Sequence, residues 1–240
     1  MRPFLIILII SSANFFAQKT LIPSNVKIES KFIKNETSEA VWFMENGTKR
    51  SEIGKITTEI KNVDKETLLI KTSVKVNMSP DKPWVDSTLV KISNFQPIYH
   101  SSYNSARDMS LKFGKNKVTG YYLDKKTQKK DDINENVSSE YFDSNSYPGL
   151  LRYLPLKEHY STEMPIFDYN PTAKKGVVKA YIEDVTKGEL NGKKVWTVKT
   201  TDDIQDRKTI VTYYLDVDTR AVLKQEIDSN GRKMIMENIK

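Results

Sequence analysis

The sequence predicts a mainly β protein: a curved antiparallel sheet, a half-barrel of meander type, with one short helix on its concave side. Three observations carry this. Leu68, Ile70, Thr72, Val74 and Val76 alternate with Leu69, Lys71, Ser73 and Lys75, the period of two expected of a strand with one buried face. Asn46-Gly47, Asn191-Gly192 and Asn230-Gly231 accept positive φ and close two-residue hairpins. Only Asp143–Leu156 breaks the pattern, with leucines at helical spacing.

Along the chain, Met1–Arg2 supplies a positive charge, Phe4–Ile10 an unbroken apolar run, and Ser11–Ala17 a small and mixed end. This is the arrangement of a secretory signal peptide over residues 1–17. Cleavage after Ala13 fits a small-x-small pattern, and cleavage after Ala17, the favoured site, leaves polar Gln18-Lys19 at the new terminus. The alternative, an uncleaved anchor, needs roughly 20 apolar residues, and Pro3–Ala17 is shorter. Residues 18–240 are then expected to form a single β-rich domain, exported to the periplasm of a Gram-negative cell or otherwise secreted, with no transmembrane span.

In the strand expected at Glu39–Glu45, Ala40, Trp42 and Met44 lie on one face and Val41 and Phe43 on the other. Asn77–Trp84, with Pro80 and Pro83, reads as a loop. Met109, Leu111 and Phe113 repeat the strand alternation. Thr127–Glu140 is the most polar stretch and is expected to be a flexible tip or a poorly ordered hairpin. In the helical segment Ser144, Asn145 and Ser146 are candidate caps, Pro148 suits a first turn, and Pro155 ends it. Further strands are expected at Val177–Glu189, Lys194–Thr201, Lys208–Val217, Ala221–Asp228 and Lys233–Ile239, rich in Val, Ile, Thr and Tyr. Tight turns between consecutive strands require antiparallel pairing, because a parallel return needs a long crossover.

The chain has 240 residues and no cysteine, which excludes disulfide staples, thiol chemistry and lipid attachment at a cysteine. Loss of Arg2 with the leader takes the net charge from +7 to +6. The lysines are spread along the chain, and the one dense cluster, Lys125–Lys130, is followed at once by Asp131-Asp132. Such a pattern reads as a solvated hairpin tip, and no nucleic-acid partner is expected.

Catalytic and metal chemistry find little footing. His100 and His159 have no histidine partner at i+2, i+3 or i+4, and each reads as a surface or hydrogen-bonded imidazole. Asp131-Asp132 and Asp202-Asp203 suit turns. No nucleophile elbow, phosphate loop or calcium loop is present. The expectation is a non-enzyme without cofactor or metal. Binding fits better: Trp42, Met44, Leu150, Leu151, Leu154, Met164, Phe167 and Trp196 are the candidate lining for an apolar ligand, although each taken singly reads as core before ligand contact. Met234 and Met236 supply adaptable contacts or belong to an edge strand.

Leu150-Leu151-Arg152-Tyr153-Leu154-Pro155-Leu156-Lys157, then Met164–Phe167, Val195–Val198, Tyr213–Asp216 and Thr219–Lys224, resemble an uncharacterised family of exported bacterial domains of unknown function. The likeness covers about residues 85–240, and departs in Leu215 and in the absence of a glycine just after Leu156. That family is distantly similar to the half-barrels of periplasmic lipoprotein carriers of the Lol type. The resemblance implies an envelope protein that holds a lipid, acyl chain or other apolar molecule, with envelope proteins as further partners, and brings no catalytic residues. The alternative is a structural or protein-interaction module of the envelope with a filled core.

Overall fold

A computed structural model of the chain describes residues 20–171, 175–204 and 206–239. The expected leader at 1–17 lies outside these residues. The strands that alternation predicts are present, and all of them join one sheet.

The N-terminal half contributes β1 (Glu36–Asn46), β2 (Lys49–Asn62), β3 (Thr67–Val76), β4 (Trp84–Lys91), β5 (Pro97–Tyr103), β6 (Arg107–Phe113), β7 (Lys117–Asp124) and β8 (Lys130–Asn136). The short β9 (Phe142–Asp143) leads into α1 (Tyr147–Leu150), which tightens into a 3-10 turn at Leu151–Tyr153. Then follow β10 (Thr162–Asp168), β11 (Gly176–Leu190), β12 (Lys193–Asp202), β13 (Thr209–Asp216), β14 (Val222–Ser229) and β15 (Arg232–Asn238).

The sheet runs β8 to β1 in reverse chain order, then β15 back down to β9. Every pair is antiparallel except β9 with β10. That one parallel pair is separated by the helical crossover, as the geometry of a parallel return requires. The sheet is not closed by pairing of its two ends.

Hairpin chemistry explains the meander. Asn191-Gly192 and Asn230-Gly231 both sit at positive φ between adjoining strands, the conformation in which a two-residue turn matches strand twist. At the first hairpin the register pairs Asn46 with Lys49, so the turn pair is Gly47-Thr48, one residue later than the Asn-Gly dipeptide suggests.

The curl is tight enough to tuck one end inside the other. One face of β9–β10 presents Phe142, Met164 and Ile166 to a cluster that includes Leu150, Leu151, Tyr153 and Leu154. The opposite side presents Phe167 and Tyr169 to Met109, Leu111, Val118 and Ile133. The Phe167 ring packs edge-on against Phe113, with centroids 5.9 Å apart. Thus β9–β10 forms an inner layer between the crossover and β6–β8. This is a rolled sheet with the short helix on its concave side.

Two local expectations are refined. Thr127–Glu140 is not simply a tip, since it contains β8, whose residue Ile133 is buried while Asp131 and Asp132 are strand residues. As the edge of the sheet, β8 keeps a charged sequence, a usual protection against edge pairing. β15, read as a possible edge, is central, between β1 and β14.

Candidate functional site

Where β1, β2 and β3 meet β13–β15, the inward faces leave a hollow of about 240 Å³ beneath α1. Its floor follows from strand register. Ser38 opposes Thr58, which opposes Thr72. One step along, Ala40 opposes Ile56, and one step back Ile60 opposes Ile70. Tyr213, Val222, Gln225 and Met236 complete the far wall.

The roof is the crossover. Asn145, Pro148, Gly149 and Arg152 line the hollow from above. Ser146 stands at the N-cap of α1 without a side-chain capping bond, and proline occupies the first turn as expected. Gly149 brings the helix close to the floor, since a Cβ there would lie 3.2 Å from Cδ1 of Ile70.

Among the described residues, two charged ones contribute to this wall, Glu36 and Arg152. They neutralise each other: Nη1 of Arg152 lies 2.6 Å from Oε1 of Glu36. Nε of Arg152 donates to the carbonyl of Arg220 at 2.7 Å, which ties the crossover to the turn before β14. Tyr213 is fully enclosed, and burial, followed by the nearby Tyr147 and Asp202, holds its hydroxyl protonated far above the usual range. It is therefore a neutral donor at any ordinary pH.

Asn145 links the roof to a buried polar network. Its Nδ2 donates to Oγ1 of Thr88 at 2.9 Å, and Oγ1 of Thr88 donates to Oδ2 of Asp143 at 3.4 Å. Oδ1 of Asp143 lies 3.0 Å from Nδ1 of His100. Burial opposes protonation of His100, but attraction and hydrogen bonding to Asp143, with help from Asp86, outweigh it and raise the imidazole pKa. His159 is exposed, 3.6 Å from Asp184. Neither histidine lines the hollow. Among the described residues no group of three or more His, Cys, Asp or Glu is placed to hold a metal ion.

The eight residues singled out from sequence fall elsewhere. Leu150, Leu151, Leu154, Met164 and Trp196 come together in the larger buried cluster, and Phe167 in the smaller one. Trp42 opposes Met236, next to the hollow but not among its lining residues. Met44 is exposed. The lining that sequence reasoning missed had one readable signal: Thr72 sits within the inward-facing series Leu68–Val76, a polar residue where the pattern calls for an apolar one.

Two wider clefts, of about 700 and 730 Å³, lie among turns at the rim. Lys193, Asp216, Thr219 and Lys224 line the first, and Lys91, Lys115, Asn116 and Glu140 line the second. Both mix charged, polar and apolar side chains at the rim. The hollow under α1 exposes the mostly apolar wall of a small-molecule site, with Ser38, Thr58, Thr72, Asn145 and Gln225 among its polar groups.

Residues 38–237 match the family model described as protein of unknown function, DUF3108. The chain belongs to the DUF3108 family. Among solved structures, this DUF3108 chain is similar to a β-barrel-like protein of the domain of unknown function DUF1849 from Brucella abortus. The two share 10% identity with a TM-score of 0.53, over 90% of this chain and 98% of that one. At that identity the likeness concerns the fold alone, and it agrees with the rolled, barrel-like sheet. No curated protein matches the chain. No helix among the described residues is long and apolar enough to cross a membrane.

Proposed function

We propose that this DUF3108 protein is an exported, non-catalytic binding protein that holds one small apolar or amphiphilic molecule, such as an acyl chain, in the hollow beneath α1. The observation that carries this reading is a space of about 240 Å³ left open between the strand faces and the helix, beside a cluster of buried apolar side chains. Water in such a space is displaced favourably, at roughly 25 cal/mol per Å² of apolar surface covered.

Size narrows the guest. At about 30 Å³ per water in the liquid, the hollow has room for roughly eight waters. It falls just under the range of about 300–1,000 Å³ usual for drug-sized ligands. One short chain fits that volume, and a whole multi-chain lipid does not. The leucine face of the crossover would then serve as a fixed plug beside the guest, since Leu150, Leu151 and Leu154 are sealed in the core.

Purified full-length protein should carry a co-purified small amphiphile, detectable by native mass spectrometry and solvent extraction, or should enhance the fluorescence of an apolar dye once emptied. Absence of both signals would count against the reading. A second reading, an envelope interaction module, is favoured by the filled interior around Phe95, Phe142 and Tyr153. It predicts a protein with neither signal.

A further inference from the structure

Inward positions of a curled sheet are ordinarily apolar. On three adjoining strands of the floor they are not. Ser38, Thr58 and Thr72 stand directly opposite one another across β1, β2 and β3, so their side chains form one row on one face, at the roughly 4.5–5.5 Å spacing of cross-strand pairs. The row continues through Asp86 on β4 and Ser102 on β5.

The two ends of this row differ. Trp84 Nε1 donates to Asp86 at 2.9 Å and lies 3.2 Å from Oγ of Ser102, which Arg107 also reaches at 3.1 Å. The protein satisfies that end itself. Among the described residues the hydroxyls of Ser38, Thr58 and Thr72 have no hydrogen-bond partner in the protein, and all three line the hollow. Apolar rows flank them, Ala40 with Ile56 on one side and Ile60 with Ile70 on the other.

The two charges in the wall sum to zero: Nη1 of Arg152 pairs with Glu36, while its Nη2 is buried without a partner among the described residues. An anionic head would face Glu36 and a cationic head Arg152, and the wall carries no net charge to compensate either. Enclosing an uncompensated charge is costly. A pure hydrocarbon would strip water from three hydroxyls and replace none of their hydrogen bonds, also unfavourable.

Resting on the reading of the hollow as a binding site, we infer that its guest is an uncharged amphiphile. Its alcohol, amide or ester group sits on the Ser38–Thr58–Thr72 row, and its short apolar body lies on the flanking rows.

The test is calorimetric titration of the emptied full-length chain with octan-1-ol, octanamide, octanoate and octylammonium, which share one chain length. Octanol and octanamide should bind at least about tenfold more tightly than the two ions. Thr58→Val, which keeps shape and suits a strand, should weaken octanol and octanamide about tenfold and leave the ions unchanged, the loss expected for one hydrogen bond. Ser38→Ala is assayed in parallel, so that misfolding of one variant leaves the other to decide. An ion binding as tightly as the neutral heads, or neutral heads indifferent to both substitutions, overturns the head-group inference and leaves the binding site standing. If none of the four binds, the binding site itself is overturned.

Discussion

Oδ1 of Asp143 sits 3.0 Å from Nδ1 of His100, and both side chains are almost wholly enclosed. His100 belongs to β5 of the outer turn of the sheet, and Asp143 to β9 of the inner layer. No backbone ladder joins these two strands. The pair, with Thr88 and the backbone N–H of Ser146 on the other carboxylate oxygen, is a polar staple holding the roll shut where the sheet does not close on itself.

Stability should therefore fall as pH rises. The folded chain raises the pKa of His100 above its ordinary value of 6.5, so the native state binds the proton more tightly than the unfolded one. The contribution is complete below that ordinary value and is lost as pH climbs through the raised folded value. Denaturant unfolding of the wild type at pH 6 and pH 8.5 should show the decline, and His100→Asn should flatten it. An unchanged slope in that variant would falsify the assignment.

Removing the carboxylate should cost more than removing the proton. Asp143→Ala leaves Thr88, His100 and the Ser146 amide without their common acceptor. Breaking a buried pair from one side typically costs about 3–5 kcal/mol. A shift in the unfolding midpoint worth under about 1 kcal/mol would show that water replaces the carboxylate and that the staple is not structural.

Leu151 and Thr58 should respond in opposite ways, although both lie near the concave side. Leu151 is fully buried in the main cluster, and truncation to Ala should destabilise by about 2–5 kcal/mol through lost contacts and a residual cavity. Thr58 borders open space, so Thr58→Val should change stability by less than about 1 kcal/mol. Paired chemical denaturation curves check both, and comparable losses at the two sites would mean that the hollow is packed in solution.

The strands and turns were legible because their signals are local. Alternation at Leu68–Val76 and the Asn-Gly pairs at 191–192 and 230–231 need only neighbouring residues to be read. What stayed hidden was which strands meet. Trp42 lies opposite Met236, a pairing across almost the whole chain that makes β15 central, and nothing local announces it. The same limit explains the lining. Leu150, Leu151 and Leu154 look like ligand contacts by type, but the inner layer β9–β10 and the crossover close over them. Threonines that looked like ordinary strand residues border the open space. Burial of His100 was equally unreadable, because its partner arrives from the far end of the roll.

Gly54 is a position where only glycine fits. It opposes Trp42 on β1 at the bulge between Trp42 and Phe43, and a Cβ there would collide with the carbonyl oxygen of Lys75. The obstacle is backbone, which cannot swing aside like a side chain. Gly54→Ala should cost at least about 1–3 kcal/mol, the usual price of overpacking, and thermal unfolding should show it directly. A neutral result would mean that β2 and β3 are further apart in solution.

Filling the hollow should separate binding from stability. Ala40 opposes Ile56 on β2 and Asn238 on β15, and its small side chain leaves part of the floor open. Ala40→Leu adds three carbons into that space. In a packed core such an insertion costs about 1–3 kcal/mol through strain. Here the added group meets an opening and gains apolar burial of roughly 0.8 kcal/mol per methylene, so the melting temperature should hold or rise slightly. The same leucine occupies much of the volume a short chain needs, so dye or octanol binding should weaken at least tenfold. Lost stability with binding intact would place the guest elsewhere, with the rim clefts the next sites to test.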